Sequence, residues 1–368
     1  MGSEKRGDML KLFLSGIVLA CGIAAGPSQA ASFDCLKAKT PIEHIICSYP
    51  EVTKLDLALD TAYHTAMDQL SPKGQAELRR SELSFLSALA IQCQPQEDAT
   101  AAPTHPNKPK EESEWCVDRA LRDRVDMLSR SLGTFGGRRF FTISTYHARI
   151  VQIDKGDGTH APFAVTEEVD IVQIDAPRSD AEVRWNAEAR RQADAAQKEV
   201  YKFTDDSSVY NFKTNEDRRV WVTMSLVSAS PDLISTVMEE DTYRFESAHP
   251  QECANSATTW SLRLGRPLSA TDVFDPTTPW KKDVQLKVEA HLKATNPPLG
   301  SAKPYDVDRV ERWQLRADGL DVVYRSYELG GYLSAADALI PWSELKPYLR
   351  RDLPFDPKYI QSAGDIQY

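Results

Sequence analysis

Apolar residues recur at helical spacing through the first third of the chain, and the pattern turns mixed after it. Between about Pro50 and Leu70, Leu55, Leu59, Ala62, Tyr63, Ala66 and Leu70 share one helical face. Leu78, Leu83, Phe85, Leu86, Leu89 and Ala90 do so between Pro72 and Cys93, and Cys116, Ala120, Val125 and Leu128 between about Ser113 and Leu132. Thr40-Pro41-Ile42-Glu43 predicts a short first helix ending near Cys47. Thr40 suits the N-cap, Pro41 the first helical position, and Glu43 the first turn. Ser71-Pro72 ends one helix and opens the next. Gln94–Glu112, rich in Pro, Ala, Thr and charge, predicts a flexible surface excursion.

Gly133–Arg139, with Gly136-Gly137, reads as a hinge into the mixed part. Strands are expected at Phe140–Ile153, Val169–Ile174, Val220–Leu226, Leu233–Met238, Thr258–Leu264, Trp313–Leu315, Leu320–Tyr324 and Ala338–Ile340. Helices are expected from Ser179-Asp180 to about Val200, from Ser269 to Phe274, over Trp280–Lys293, and from Pro341 to Leu349. Residues 295–308 read as a proline-rich loop. The fold class is thus multi-domain: an all-α domain over 31–133, then an α+β domain over 134–368 with an antiparallel sheet and helices on one side.

Residues 1–30 stand apart. Lys5, Arg6 and Lys11 precede an apolar run from Leu12 to Ala25, and Ser28-Gln29-Ala30 places small residues where signal peptidase reads. This predicts a secretory signal cleaved after Ala30, with Met9 as an alternative start. Val18-Leu19-Ala20-Cys21 is a competing reading: it loosely resembles a lipobox and would leave an acylated Cys21, the one route to a membrane. Export to a periplasmic or secreted location permits disulfides. Cys35, Cys47, Cys93, Cys116 and Cys253 remain after cleavage. Four cysteines allow three pairings; their grouping favours Cys35–Cys47 and Cys93–Cys116, with Cys253 left over as a buried thiol or an intermolecular link. The net charge of -10 argues against a nucleic-acid partner and suits a basic one.

The helical part resembles the N-terminal domain of the LprI family of lysozyme inhibitors. The matching residues are Phe33-Asp34-Cys35, Thr40-Pro41-Ile42-Glu43 with Ile46-Cys47, Leu55-Asp56 with Tyr63, and Cys116, Ala120, Arg124, Val125 and Leu128. It departs from the family's Gln-x-x-Trp-Leu run, reading Glu82-Leu83-Ser84-Phe85-Leu86, and has Leu121 in place of a Tyr. The C-terminal part resembles the paired domains of unknown function of RsiV-type anti-sigma factors and the peptidoglycan deacetylase PdaC. Trp185-Asn186, Thr242-Tyr243 with Ala248-His249-Pro250, Trp260-Ser261-Leu262, Gly265-Arg266-Pro267-Leu268 and Asp272-Val273-Phe274 carry it. So do Leu320–Tyr324, Tyr327-Glu328, Tyr332 and Ile340–Leu345. RsiV proteins bind lysozyme through this module, so both resemblances imply recognition of a cell-wall enzyme or of the wall.

No G-x-S-x-G, P-loop or H-E-x-x-H signature occurs, and the seven histidines never reach ligand spacing. His249 carries no convincing catalytic partners and reads as a loop residue. Asp56, Tyr63, His249, Tyr324, Tyr327, Glu328 and Tyr332 are the candidate binding surface, Tyr being common at interfaces. The expectation is a binding protein, without cofactor or metal, that captures a lysozyme-like muramidase and inhibits it. The alternative is an accessory peptidoglycan-binding module or an envelope hydrolase.

Overall fold

A computed structural model describes residues 31–93, 109–154, 160–205, 218–242, 251–295, 307–324 and 336–363. Helix α1 (Pro41–Ser48) opens on a capping box: Glu43 N–H donates to Thr40 Oγ1 at 3.2 Å, and Thr40 N–H to Glu43 Oε2 at 2.8 Å. Helices α2 (Pro50–Gln69) and α3 (Pro72–Gln92) each begin on a proline, and Ser71 Oγ caps α3 by accepting from Gly74 N–H at 3.2 Å. Helix α4 (Pro109–Arg130) starts four residues before the expected Ser113 and takes in the end of the anticipated excursion; residues 94–108 lie outside the described ones. Both expected disulfides are formed, Cys35–Cys47 and Cys93–Cys116, with Cα atoms 5.7 and 5.5 Å apart. Leucines and isoleucines of the four helices, Ile42, Ile46, Leu59, Leu78 and Leu121 among them, bury one core.

The anticipated hinge is a hairpin turn. Strand β1 (Leu132–Phe135) pairs antiparallel with β2 (Arg138–Asp154), and Gly136 and Gly137 between them have φ of 55° and 73°. Two successive positive-φ residues match the two-residue turn that follows strand twist. A Cβ on Gly136 would also lie 2.6 Å from the Ser230 carbonyl oxygen. Strand β2 continues into one long hairpin with β3 (His160–Ile174), in register from Phe140↔Ile174 to Asp154↔His160.

Helix α5 (Asp180–Asp205) then crosses over, and β4 (Arg218–Ala229) returns parallel to β3. This departs from a wholly antiparallel sheet, and the reason is the connection: parallel neighbours need a long crossover, which α5 supplies. Antiparallel β5 (Leu233–Thr242), β6 (Gln251–Ser261) and β7 (Arg266–Pro267) follow. Ala189, Ala193 and Ala196 of α5 pack on Val169, Val222, Met224 and Met238. The small alanines let the helix lie close to the strands.

After the short α6 (Ala270–Val273) and α7 (Trp280–Thr295), a second sheet replaces the single one expected. It holds β8 (Trp313–Leu315), β9 (Gly319–Tyr324) and β10 (Ala336–Pro341), in the order β10-β9-β8. Val284, Val288 and Leu292 of α7 cover its apolar face, with Trp313, Leu320, Val322 and Ile340 below them. Leu315 N–H donates to Ser235 Oγ at 3.3 Å and Ser228 Oγ donates to the Leu315 carbonyl, tying this sheet to β4 and β5. The expected last helix is a single turn, α8 (Trp342–Leu345), passing into a 3-10 turn at Lys346–Tyr348. Pro347 lacks the N–H an α-helix would need there. A final strand, β11 (Gln361–Ser362), not read in the sequence, pairs with β4.

Helices and sheet share their packing. Strand β1 pairs with β2 only as far as Phe141, and the helical unit takes the edge beyond it. Thr142 N–H donates to the Ser131 carbonyl at 2.9 Å, and Tyr146 N–H to Ser84 Oγ at 3.2 Å. The helical core continues into Phe141 and Ile143. Asp175, at the end of β3, accepts from Ser71 N–H at 2.9 Å and from Ser71 Oγ, and Arg190 of α5 meets Glu77 of α3 at 3.3 Å. The sequence boundary near residue 133 is therefore spanned by one continuous core. An open strand edge is a liability, and here the helices close it.

Candidate functional site at the helix–sheet seam

A buried polar cluster lies on that seam. Arg124 of α4 is 1% exposed, although guanidinium groups are rarely buried without partners. Its Nε and Nη2 reach Glu82 Oε2 of α3 at 3.1 and 3.0 Å, and Nη2 also donates to Ser81 Oγ at 2.9 Å. Nη1 points to Tyr146 Oη at 3.5 Å. The rings of Phe85 and Tyr146 stand 5.5 and 5.4 Å from the guanidinium carbon, and they meet each other edge-on. Burial alone would weaken the charge on Arg124; Tyr146 and Glu82 outweigh it and hold the guanidinium above its usual range.

Strand β3 adds two acids. Glu168 and Asp170 are two residues apart, hence on one face, and pair across the hairpin with Tyr146 and Ser144. Asp170 is 4% exposed and its Oδ1 accepts no hydrogen bond. Burial pushes its carboxyl well above the usual range, Glu168 pushes it further, and Ser144 and Arg124 only partly oppose this. Burial and Glu168 likewise push the Tyr146 phenol well up. Beside the cluster a cleft of about 30 Å³ opens between Phe85, Leu89, Gln92, Asp123, Arg124 and Glu168. Small-molecule sites run to roughly 300–1,000 Å³, so the cleft admits water or the tip of a side chain rather than a sugar ring.

The residues expected to form a binding surface fare differently. Asp56 is turned inward: it is 8% exposed, and its Oδ2 accepts from Ser32 N–H at 2.7 Å. It anchors the start of the described chain and offers no contact surface. Tyr324 is 1% exposed in the core under α7, because its place on β9 alternates onto the buried face. Tyr63 is half-buried on the helical core, its ring edge-on to His64 with centroids 5.5 Å apart. His249, Tyr327, Glu328 and Tyr332 lie outside the described residues, as do Cys21 and Ala30. Cys253 falls within β6, and its side chain is not among those described.

Of the seam cluster, the sequence singled out Arg124 as a motif residue and Glu82 and Phe85 within the run that departs from the family, none with a functional role; Tyr146, Glu168 and Asp170 drew no notice. Glu168 and Asp170 alternate with Val169 and Ile171, which reads as the wet face of a half-buried strand. Only the docking of α3 and α4 turns that face into an interior. Among the described residues no helix is long and apolar enough to cross a membrane, and no group of three or more His, Cys, Asp or Glu is placed to hold a metal ion.

No protein-family model matches the chain, and no curated protein matches it. Among solved structures it is similar to a DUF3298 family member from Bacteroides fragilis, with 15% identity and a TM-score of 0.38, covering 60% of this chain and 96% of that one. It is also similar to a DUF3298 family protein from Pseudomonas aeruginosa, with 13% identity and a TM-score of 0.41, covering 58% of this chain and 95% of that one.

Proposed function

We propose that this protein is an exported cell-envelope binding protein that captures a lysozyme-like muramidase and blocks it. The observation that carries this reading is the outward face of α2. Leu57, Asp60, His64 and Asp68 recur at helical spacing and are exposed, with Leu57 at 39%. An apolar contact flanked by acids suits a basic partner, and the chain's net charge of -10 would steer that partner in. Lysozymes are usually basic and cut between two carboxylates in a cleft. The disulfide-stapled helices behind α2, seated on a sheet edge, hold the face rigid, which lowers the entropy cost of binding.

The rival reading is a peptidoglycan-binding module or envelope hydrolase built on Glu168 and Asp170. It ranks second, because Asp170 is buried and the adjoining cleft is too small for a sugar ring.

Titration of residues 31–368 with lysozyme at low and physiological salt, with residual muramidase activity read alongside, tests the proposal. The expected result is binding that survives physiological salt and abolishes activity, and that Leu57→Arg with Asp60→Lys weakens at least tenfold. Binding lost at physiological salt would be charge attraction alone and would overturn the proposal. Undiminished binding by the double variant would overturn the choice of face.

A further inference from the structure

The seam cluster gathers Glu82, Glu168 and the buried Asp170 around the guanidinium of Arg124. The groups around Asp170 are Glu168 on β3 itself, Ser144 and Tyr146 on β2, Arg124 on α4 with Glu82 of α3 bound to it, and Thr223 on the adjacent β4. One strand further, Glu239 of β5 continues the row opposite Thr223. Arg124 is the cation among them, and its guanidinium is committed to Glu82, Ser81 and Tyr146. Oδ1 of Asp170 is left without a donor in a position 4% exposed. A carboxylate so placed keeps its charge only at a high cost in desolvation, and Glu168 beside it adds repulsion. A neutral carboxyl meets neither penalty.

The place matters as much as the chemistry. Ser144 and Tyr146 lie on the β2 edge that the helices close; the Tyr146 N–H bond to Ser84 Oγ and the Thr142 N–H bond to Ser131 cross that edge through the backbone, and Ser144 Oγ reaches Met127 Sδ of α4 at 3.7 Å. We propose that Asp170 is a proton-operated latch: while its carboxyl is neutral the helical unit stays seated on the β2 edge, and its ionisation loosens the seat. The direction follows from the raised proton affinity of Asp170 in the closed seam. Its contribution is complete below the ordinary carboxylate range and is lost as pH rises through the raised folded value. This inference is independent of the muramidase reading.

Hydrogen exchange of the 31–368 chain from pH 5 to pH 9, corrected for the intrinsic pH dependence of exchange, tests it. The amides of Thr142 and Tyr146 report on the seam, and those of the fully buried Leu233 and Ile234 on β5 serve as a reference. In the wild type the protection of the seam amides relative to that reference should fall at least tenfold across the range. In Asp170→Asn it should stay at the acid level throughout. A flat wild-type profile, or the same fall in Asp170→Asn, would overturn the latch. If Asp170→Asn does not fold, Glu168→Gln decides: relieved of its neighbour's charge, Asp170 ionises more readily and the fall moves to lower pH. A fall that stays in place overturns the proposal.

Discussion

Asp321→Asn should stabilise this protein at neutral pH and leave it unchanged in acid. Asp321 sits on β9 with 1% of its surface exposed, and its Oδ1 accepts no hydrogen bond. Arg316 Nε lies 3.0 Å from Oδ2, while Asp318 and Asp337 crowd the same neighbourhood. Burial outweighs the arginine and raises the carboxyl from 3.8 to about 6. That interval corresponds to roughly 3 kcal/mol held against the ionised form. A raised acid contributes stability that is fully present below pH 3.8 and lost as pH rises through about 6. Asparagine keeps the shape and removes the charge, so the gain should approach 1–3 kcal/mol at pH 8 on the order-of-magnitude scale of such shifts and vanish near pH 4. Urea unfolding of both proteins at pH 4.5, 6 and 8 reads this directly. Equal stabilities at every pH, or a loss at pH 8, would mean that the Arg316 ion pair outweighs burial and that the reasoning fails.

Two further perturbations probe the seam. Arg124→Met removes the buried partner of Glu82, whose side chain is 13% exposed, and should cost about 3–5 kcal/mol in urea unfolding; Arg124→Lys keeps the charge but loses the forked contact and should fall between wild type and Arg124→Met. Gly74→Ala places a Cβ 2.6 Å from Asp175 Oδ1, so the Ser71–Asp175 clamp must open. The strain should outweigh alanine's helix preference and cost about 1–3 kcal/mol, seen as a lowered thermal midpoint.

Short-range physics made much of this molecule legible from its sequence. The helix starts at Thr40-Pro41 and Ser71-Pro72 rest on a side-chain cap and a fixed proline φ, both local properties, and they stand where they were read. The two disulfides follow the grouping of the cysteines, and the alternating runs in the second half became strands. What stayed hidden depends on partners distant in the chain. The alternation around Glu168 and Asp170 reports a polar face but cannot say whether water or a helix lies over it. The Gly136-Gly137 pair is equally compatible with a hinge and a tight turn until β1 and β2 are paired. Asp56 and Tyr324 carry the composition of a contact surface, and only burial against residues far along the chain assigns them to the interior. By itself the sequence determined the elements, their caps and their covalent staples, because those are set within a few residues. The tertiary structure alone decided which charges are buried together, because it brings α3, α4, β2 and β3 to one seam, and burial there raises the proton affinity of Asp170.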